Sequence, residues 1–138
     1  MIVIYQKFIY RADMQANSEC LYLWGDNEAR KGVGGQAKEM RDEPNGIGIR
    51  TKKAPLYDES AYWSDKFFER QVGLIDEDFY IIDRELPKYK ALVIPLDGIG
   101  TGMAQLTKRA PKTLQYLNDK LMDLIDRIEF LFDEKDER

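Results

Sequence analysis

Histidine is missing altogether from the 138 residues, and cysteine occurs once. The first absence excludes Ser-His-Asp and Cys-His catalysis and removes the usual zinc ligand sets, so neither a metal nor a cofactor is expected. The second excludes an internal disulfide and agrees with a reducing compartment. Cys20 sits in the apolar run Cys20-Leu21-Tyr22-Leu23-Trp24 and reads as a buried, inert thiol. No apolar run approaches the roughly 18 residues that span a bilayer. The opening MIVIYQKFIY has no basic leader and no small-residue cleavage site. It reads as a strand, with Met1 as the native start and a cytoplasmic location as the expectation. Neither G-x-G-x-x-G nor Gly-Lys-Ser/Thr occurs, which excludes the two commonest nucleotide fingerprints.

What is present is enough to fold: 43% hydrophobic residues, 12% of all residues aromatic, on a length that suits one core. The net charge of −4 argues against a general polyanion binder. The charge is uneven, however. Between Arg30 and Lys53 seven basic residues face three acidic ones, a local balance of +4 that favours an anionic ligand.

Strand patterns fall at residues 2–9, 20–24, 47–51 and 91–96, each rich in β-branched, aromatic or leucine side chains. Residues 11–18 are polar enough for one or two helical turns, and 36–41 form a short helix. Ile75, Phe79, Ile82 and Leu86 make a helical stripe with Asp76, Glu77 and Asp78 in its first turn, closed by Pro87. Pro111 opens a long helix whose apolar face runs from Leu114 through Leu117, Leu121, Leu124, Ile125 and Ile128 to Leu131 and Phe132. Its tail, 133–138, is expected to fray. Residues 54–70 are bulky without a period and read as a loop with a helical end. Strands alternating with helices predict a single α/β domain over 1–138. The expected architecture is a three-layer sandwich, a mostly parallel central sheet flanked by helices.

In such sheets ligands bind beyond the carboxyl ends of the strands. Three stretches emerge there: Gly25-Asp26-Asn27 through Gly34, Gly35 and Gln36; Arg50-Thr51-Lys52; and Asp97 through Gly98, Ile99, Gly100, Thr101 and Gly102. Glycine lets backbone N–H groups approach a ligand, and the helix opening at Gln36 would turn its free N–H groups to the same place. The alternative is that these glycines only punctuate turns. Asn27 reads as a ligand-reading amide or as a turn residue. Asp26 and Asp97 are the candidates for a general base or water-positioning group, or else they bind loop N–H groups. Arg50 and Lys52 either pair with phosphate or form a solvated edge. Tyr57, Tyr62 and Trp63 either stack a base or pack the core.

The set Leu21-Tyr22-Leu23-Trp24-Gly25-Asp26-Asn27, Gly32-Val33-Gly34-Gly35-Gln36-Ala37 and Ile94-Pro95-Leu96-Asp97-Gly98-Ile99-Gly100-Thr101-Gly102 resembles macro domains, in particular small phage-type and bacterial macro-like proteins. The resemblance covers roughly residues 20–52 and 91–116. It implies binding of ADP-ribose or a related phosphate-bearing nucleotide, with removal of ADP-ribose from a modified target as the enzymatic form. By position, Asn27 would face the distal ribose with Gly34 and Gly35 near it, and Gly98 to Gly102 would hold the diphosphate. Nucleic acid enters only as a modified target. Three readings stay open at this point: an ADP-ribosyl hydrolase, a non-catalytic reader or sponge of a nucleotide signal, and a ligand-free interaction protein. The last would use the C-terminal helix, which is also the surface offered to an oligomer.

Overall fold

The strand Cys20–Asn27 is apolar at successive positions because both of its faces are covered. Cys20, Tyr22 and Trp24 are buried on one side of the sheet, Leu21 and Leu23 on the other. The computed structural model describes the backbone of residues 1–136 and side chains through Glu129. Its elements are β1 (Ile2–Gln6), α1 (Arg11–Ala16), β2 (Cys20–Asn27), α2 (Gln36–Met40), β3 (Gly46–Lys52), α3 (Phe68–Glu85), β4 (Ala91–Pro95), α4 (Leu106–Arg109) and α5 (Pro111–Asp136).

The four strands form one sheet in the order β1-β4-β2-β3, with every pair parallel. The last strand in the chain thus inserts between the first two. One face carries Tyr22, Trp24 and Val93 against Met14 of α1 and Met40 of α2. The other carries Leu21, Leu23, Leu92 and Ile94 against Ile75, Phe79 and Ile82 of α3 and Leu117 and Leu124 of α5. This is the α/β sandwich expected from the alternation of strands and helices. Among the described residues no helix is long and apolar enough to cross a membrane.

Three elements differ from expectation. β1 ends at Gln6, and as an edge strand it leaves Ile2, Ile4 and Tyr5 substantially exposed. Residues 54–70 hold two 3-10 turns, Glu59–Ala61 and Asp65–Phe67, before α3 begins. Trp63 and Tyr62 from this stretch are buried, whereas Tyr57 is exposed. Finally, α3 starts at Phe68, so Asp76, Glu77 and Asp78 lie in mid-helix and not in its first turn. The buried stripe is Gln71, Ile75, Asp78, Phe79 and Ile82, and its two polar members conceal the period. Each is satisfied: Gln71 donates to Ser64 O at 2.9 Å and accepts from the Thr113 hydroxyl at 2.6 Å, and Asp78 accepts from two arginines. In α5 the expected apolar face from Leu114 to Ile128 packs into the core, whereas Met122 stays exposed. Leu131 and Phe132 are expected to extend this face and the tail to fray; their side chains, and all of 137–138, lie outside the described residues.

Gly73 interrupts α3 with no packing reason, since a Cβ there would meet no atom within 4 Å. Gly73→Ala should therefore raise stability by about 0.5–1 kcal/mol, the difference in helix propensity, read as a melting temperature higher by about 2–4 °C. An unchanged or lower melting temperature would contradict this.

Candidate functional site

β2 and β4 are neighbours whose outgoing segments leave toward opposite faces of the sheet. After Asn27 the chain runs to α2, and after Pro95 it runs to α4 and α5. Such divergence opens a crevice at the carboxyl ends of parallel strands. A cleft of about 480 Å³ lies there, within the size range of small-molecule sites.

The glycine loops meet at this cleft. A Cβ on Gly25 would lie 3.6 Å from the Gly100 backbone nitrogen, and one on Gly34 would lie 3.0 Å from Met103 Cε. Gly25, Asp26, Asn27, Gly34, Gly35 and Gln36 line one side, and Gly98, Ile99, Gly100 and Gly102 line the other. Among the described residues, the N–H groups of Ile99, Gly100 and Thr101 have no protein acceptor, whereas that of Gly98 donates to Pro95 O at 3.1 Å. α2 has only five residues, so any dipole contribution at its start is that of little more than one turn.

Arg50, Asp97 and Thr101 are not among the lining residues. The Arg50 guanidinium turns to α3, donating to Asp78 at 3.1 Å and to Glu77 at 2.8 Å. These carboxylates more than offset its burial and raise its pKa further above the ordinary arginine value. Asp97 is exposed, and its backbone carbonyl accepts from the Thr101 hydroxyl at 2.7 Å, closing the loop on itself. Gln36 lines the cleft with both ends of its amide engaged by the backbone of Ile9, each at 2.8 Å.

Asp26 is buried, and its oxygens are fully subscribed. Oδ1 accepts from the Asn27 N–H at 2.8 Å and from Arg41 Nη2 at 2.7 Å. Oδ2 accepts from Arg41 Nη1 at 3.2 Å and from Arg30 Nη1 at 3.3 Å. Room for this cluster comes from Gly48 on β3, where a Cβ would sit 2.7 Å from that of Asp26. Arg41 also stacks over Trp24, 4.9 Å from the ring centroid. Much of the positive balance of residues 30–53 is therefore matched by Asp26, Glu77 and Asp78.

Asn27 differs. It is 7% exposed, and its Nδ2 donates to Lys31 O at 2.8 Å. That bond fixes the amide orientation, because a flip would set two oxygens together. Among the described residues Asn27 Oδ1 has no hydrogen-bond partner and is the buried side-chain polar atom left in that state. Such an atom costs free energy unless a donor reaches it.

Of the cleft's rim, the sequence offers Tyr57 as a candidate, a ring that either stacks a base or packs the core. Phe8, Val33, Tyr57 and Met103 are large apolar side chains that line the cleft and stay exposed. A lone Phe or Met in a polar stretch carries no period, so nothing in the pattern marks it. Lys52 and Arg50 lie two apart on β3, where strict alternation would give them one face, but the register shift that pairs Asp26 with Arg50 and Asn27 with Lys52 breaks the alternation between them. Lys52 lines the cleft, buried, with Nζ donating to Leu56 O at 2.8 Å. Burial first, and the Arg109 guanidinium second, push its amine below the ordinary lysine value. Beside it, Glu28 holds Trp63 Nε1 at 2.8 Å and pairs with Arg70. Burial pushes its carboxyl up, but these partners outweigh it and leave the carboxyl below its ordinary value. Burial, and then Glu19, pushes the Cys20 thiol up, as suits an unreactive thiol.

No curated protein and no solved structure matches this chain. One family model does, over residues 4–120, a span that contains every residue of the cleft, and the chain belongs to that family of unknown function, DUF7831.

Proposed function

We propose that the protein binds a phosphate-bearing nucleotide, ADP-ribose or a close relative, in the cleft between the turn after β2 and the loop after β4. The observation that carries this reading is the orphaned Asn27 Oδ1, a buried acceptor at the cleft wall that a ligand hydroxyl or N–H would satisfy. The surroundings suit the rest of such a molecule. Among the described residues the backbone N–H groups of Ile99, Gly100 and Thr101 lack protein acceptors and are donors for phosphoryl oxygens. The exposed apolar rim supports stacking of a base. Lys31, Arg41 and Lys52 line the cleft against a single lining carboxylate.

The reader form of this function is favoured over the hydrolase form. Asp26, the one carboxylate lining the cleft, already serves two guanidiniums and a backbone N–H, so it has no free oxygen to take a proton from water.

Calorimetric titration with ADP-ribose tests the reading, with ADP and NAD as comparisons. The wild-type protein binds, and saturation raises its melting temperature. Asn27→Ala removes one buried hydrogen bond to the ligand, which weakens affinity about tenfold or more. The free variant melts within a few degrees of wild type, because it loses the bond to Lys31 but also the unpaired acceptor. No binding of any of the three nucleotides at millimolar concentration would overturn the proposal.

A further inference from the structure

Asn27 and Lys52 are register partners across β2 and β3, at the carboxyl ends of both strands. Both are buried and both line the cleft, yet their needs are opposite. Asn27 Oδ1 lacks a donor. Lys52 is a buried cation with no carboxylate partner among the described residues, although the structure contains twelve ion pairs elsewhere. Of the other cations on the wall, Lys31 is exposed and Arg41 is held by Asp26 at 2.7 Å.

The surroundings of Lys52 sharpen the contrast. Its Nζ has three donors and spends one on Leu56 O. Tyr62 covers it with a ring face at 4.3 Å, and Tyr57 with another at 5.5 Å. Arg109 sits over the same ring, 3.8 Å from its centroid, adding positive potential. Ring faces attract a cation but supply no counter-charge. Removing a cation from water without a counter-charge is costly, and a chain gains nothing from it in the unliganded state.

We infer that Lys52 is the specificity-determining residue of the cleft, the group that takes an anionic phosphoryl oxygen while Asn27 accepts from a neighbouring hydroxyl. This rests on the nucleotide reading and deepens it. The ligand class becomes a phosphorylated sugar in which a free hydroxyl lies beside the phosphoryl group, and a neutral nucleoside is discriminated against. Ligand anion and Lys52 ammonium neutralise each other at a site that the Tyr62 ring covers.

The test titrates wild type, Lys52→Met and Lys52→Arg with three probes: ADP-ribose, adenosine and inorganic pyrophosphate. Lys52→Met keeps most of the apolar stem and removes the ammonium, with its charge and its bond to Leu56 O. It should bind ADP-ribose at least about tenfold more weakly and lose pyrophosphate, with adenosine unaffected. Its free form melts at or above the wild-type temperature, because an unpaired buried charge has gone. Lys52→Arg retains most of the affinity for ADP-ribose. Equal affinity of Lys52→Met and wild type for ADP-ribose overturns the inference and leaves the nucleotide reading standing. A lower melting temperature in both variants with unchanged affinities also overturns it, by making Lys52 a brace of the 53–62 segment. Wild type that binds pyrophosphate through Lys52 but no nucleotide supports the role of Lys52 and defeats the nucleotide reading instead.

Discussion

Replacing Asp26 by Asn should lower the melting temperature by about 10 °C, corresponding to a loss of about 3 kcal/mol. The side chain is almost wholly buried, and among the described residues it is the sole carboxylate paired with Arg41. Breaking a buried ion pair by removing one partner is expensive, because the remaining charge stays desolvated. Here two guanidiniums lose a partner at once. Arg41 keeps the carbonyls of Gly32 and Lys31 and the face of Trp24. Arg30 keeps Asp78 at 2.7 Å and the Gly48 carbonyl at 2.6 Å. The Asn27 N–H loses a charged acceptor, so the residue proposed to read the ligand loses its support as well. Thermal or urea denaturation measures the effect. A variant that melts at the wild-type temperature would show that Asp26 braces nothing, and would return it to the list of candidate bases.

The stake in this experiment is wider than one side chain. Asp26, Arg30, Asp78, Arg50 and Glu77 form a continuous chain of charges from the cleft, across β3 at Gly48, to the exposed side of α3. Asp78 anchors it from within the buried stripe of α3, and one of its oxygens also accepts the Arg50 backbone N–H at 2.8 Å. That bond occupies part of the outer edge of β3, an edge otherwise open to pairing with a second chain. The same carboxylate thus tunes strand, helix and cleft, and this explains why a charged residue stands where the periodicity calls for an apolar one.

The layers of this fold were legible because they depend on period. Cys20 through Trp24 form the unbroken apolar run of a strand covered on both faces, Ile75, Phe79 and Ile82 recur at helical spacing, and the strands alternate with helices. Convergence of the loops at Asn27 and Gly100 was legible too, because parallel strands place all their carboxyl ends on one edge. Residues 54–70 were not legible, since Trp63 is buried from irregular backbone, where no period exists to mark it. Nor was the fate of each charge. An arginine destined for phosphate, for solvent or for a helix carboxylate is the same letter. Arg50 faces Asp78 and Glu77, and those partners lie 28 and 27 residues along the chain. Asn27 stood out as a candidate from its place in a turn, but only three dimensions reveal that one of its two amide atoms is left unpaired.

Gly100→Ala should cost about 2–4 kcal/mol, while Gly102→Ala in the same loop should change stability by no more than about 0.5 kcal/mol. Two penalties combine at Gly100. Its φ of +86° lies in the left-handed region, where any Cβ is strained. A Cβ there would also lie 2.5 Å from Leu106 Cδ1 and 3.2 Å from its Cγ. Leu106 is completely buried, so its side chain has no open space to retreat into, and the core beneath the loop must move with it. Gly102 has neither feature: its φ is not in that region, and a Cβ would meet nothing within 4 Å. Urea denaturation of the two variants, side by side, separates glycine that the fold demands from glycine that it merely tolerates. If both alanines are equally mild, the loop is a loose turn that does not hold its N–H groups in place for a ligand. If both are equally severe, the crowding is global and Leu106 is not its source. Only the unequal result gives the Gly98–Gly102 loop the rigidity that binding a phosphoryl group through backbone N–H groups requires.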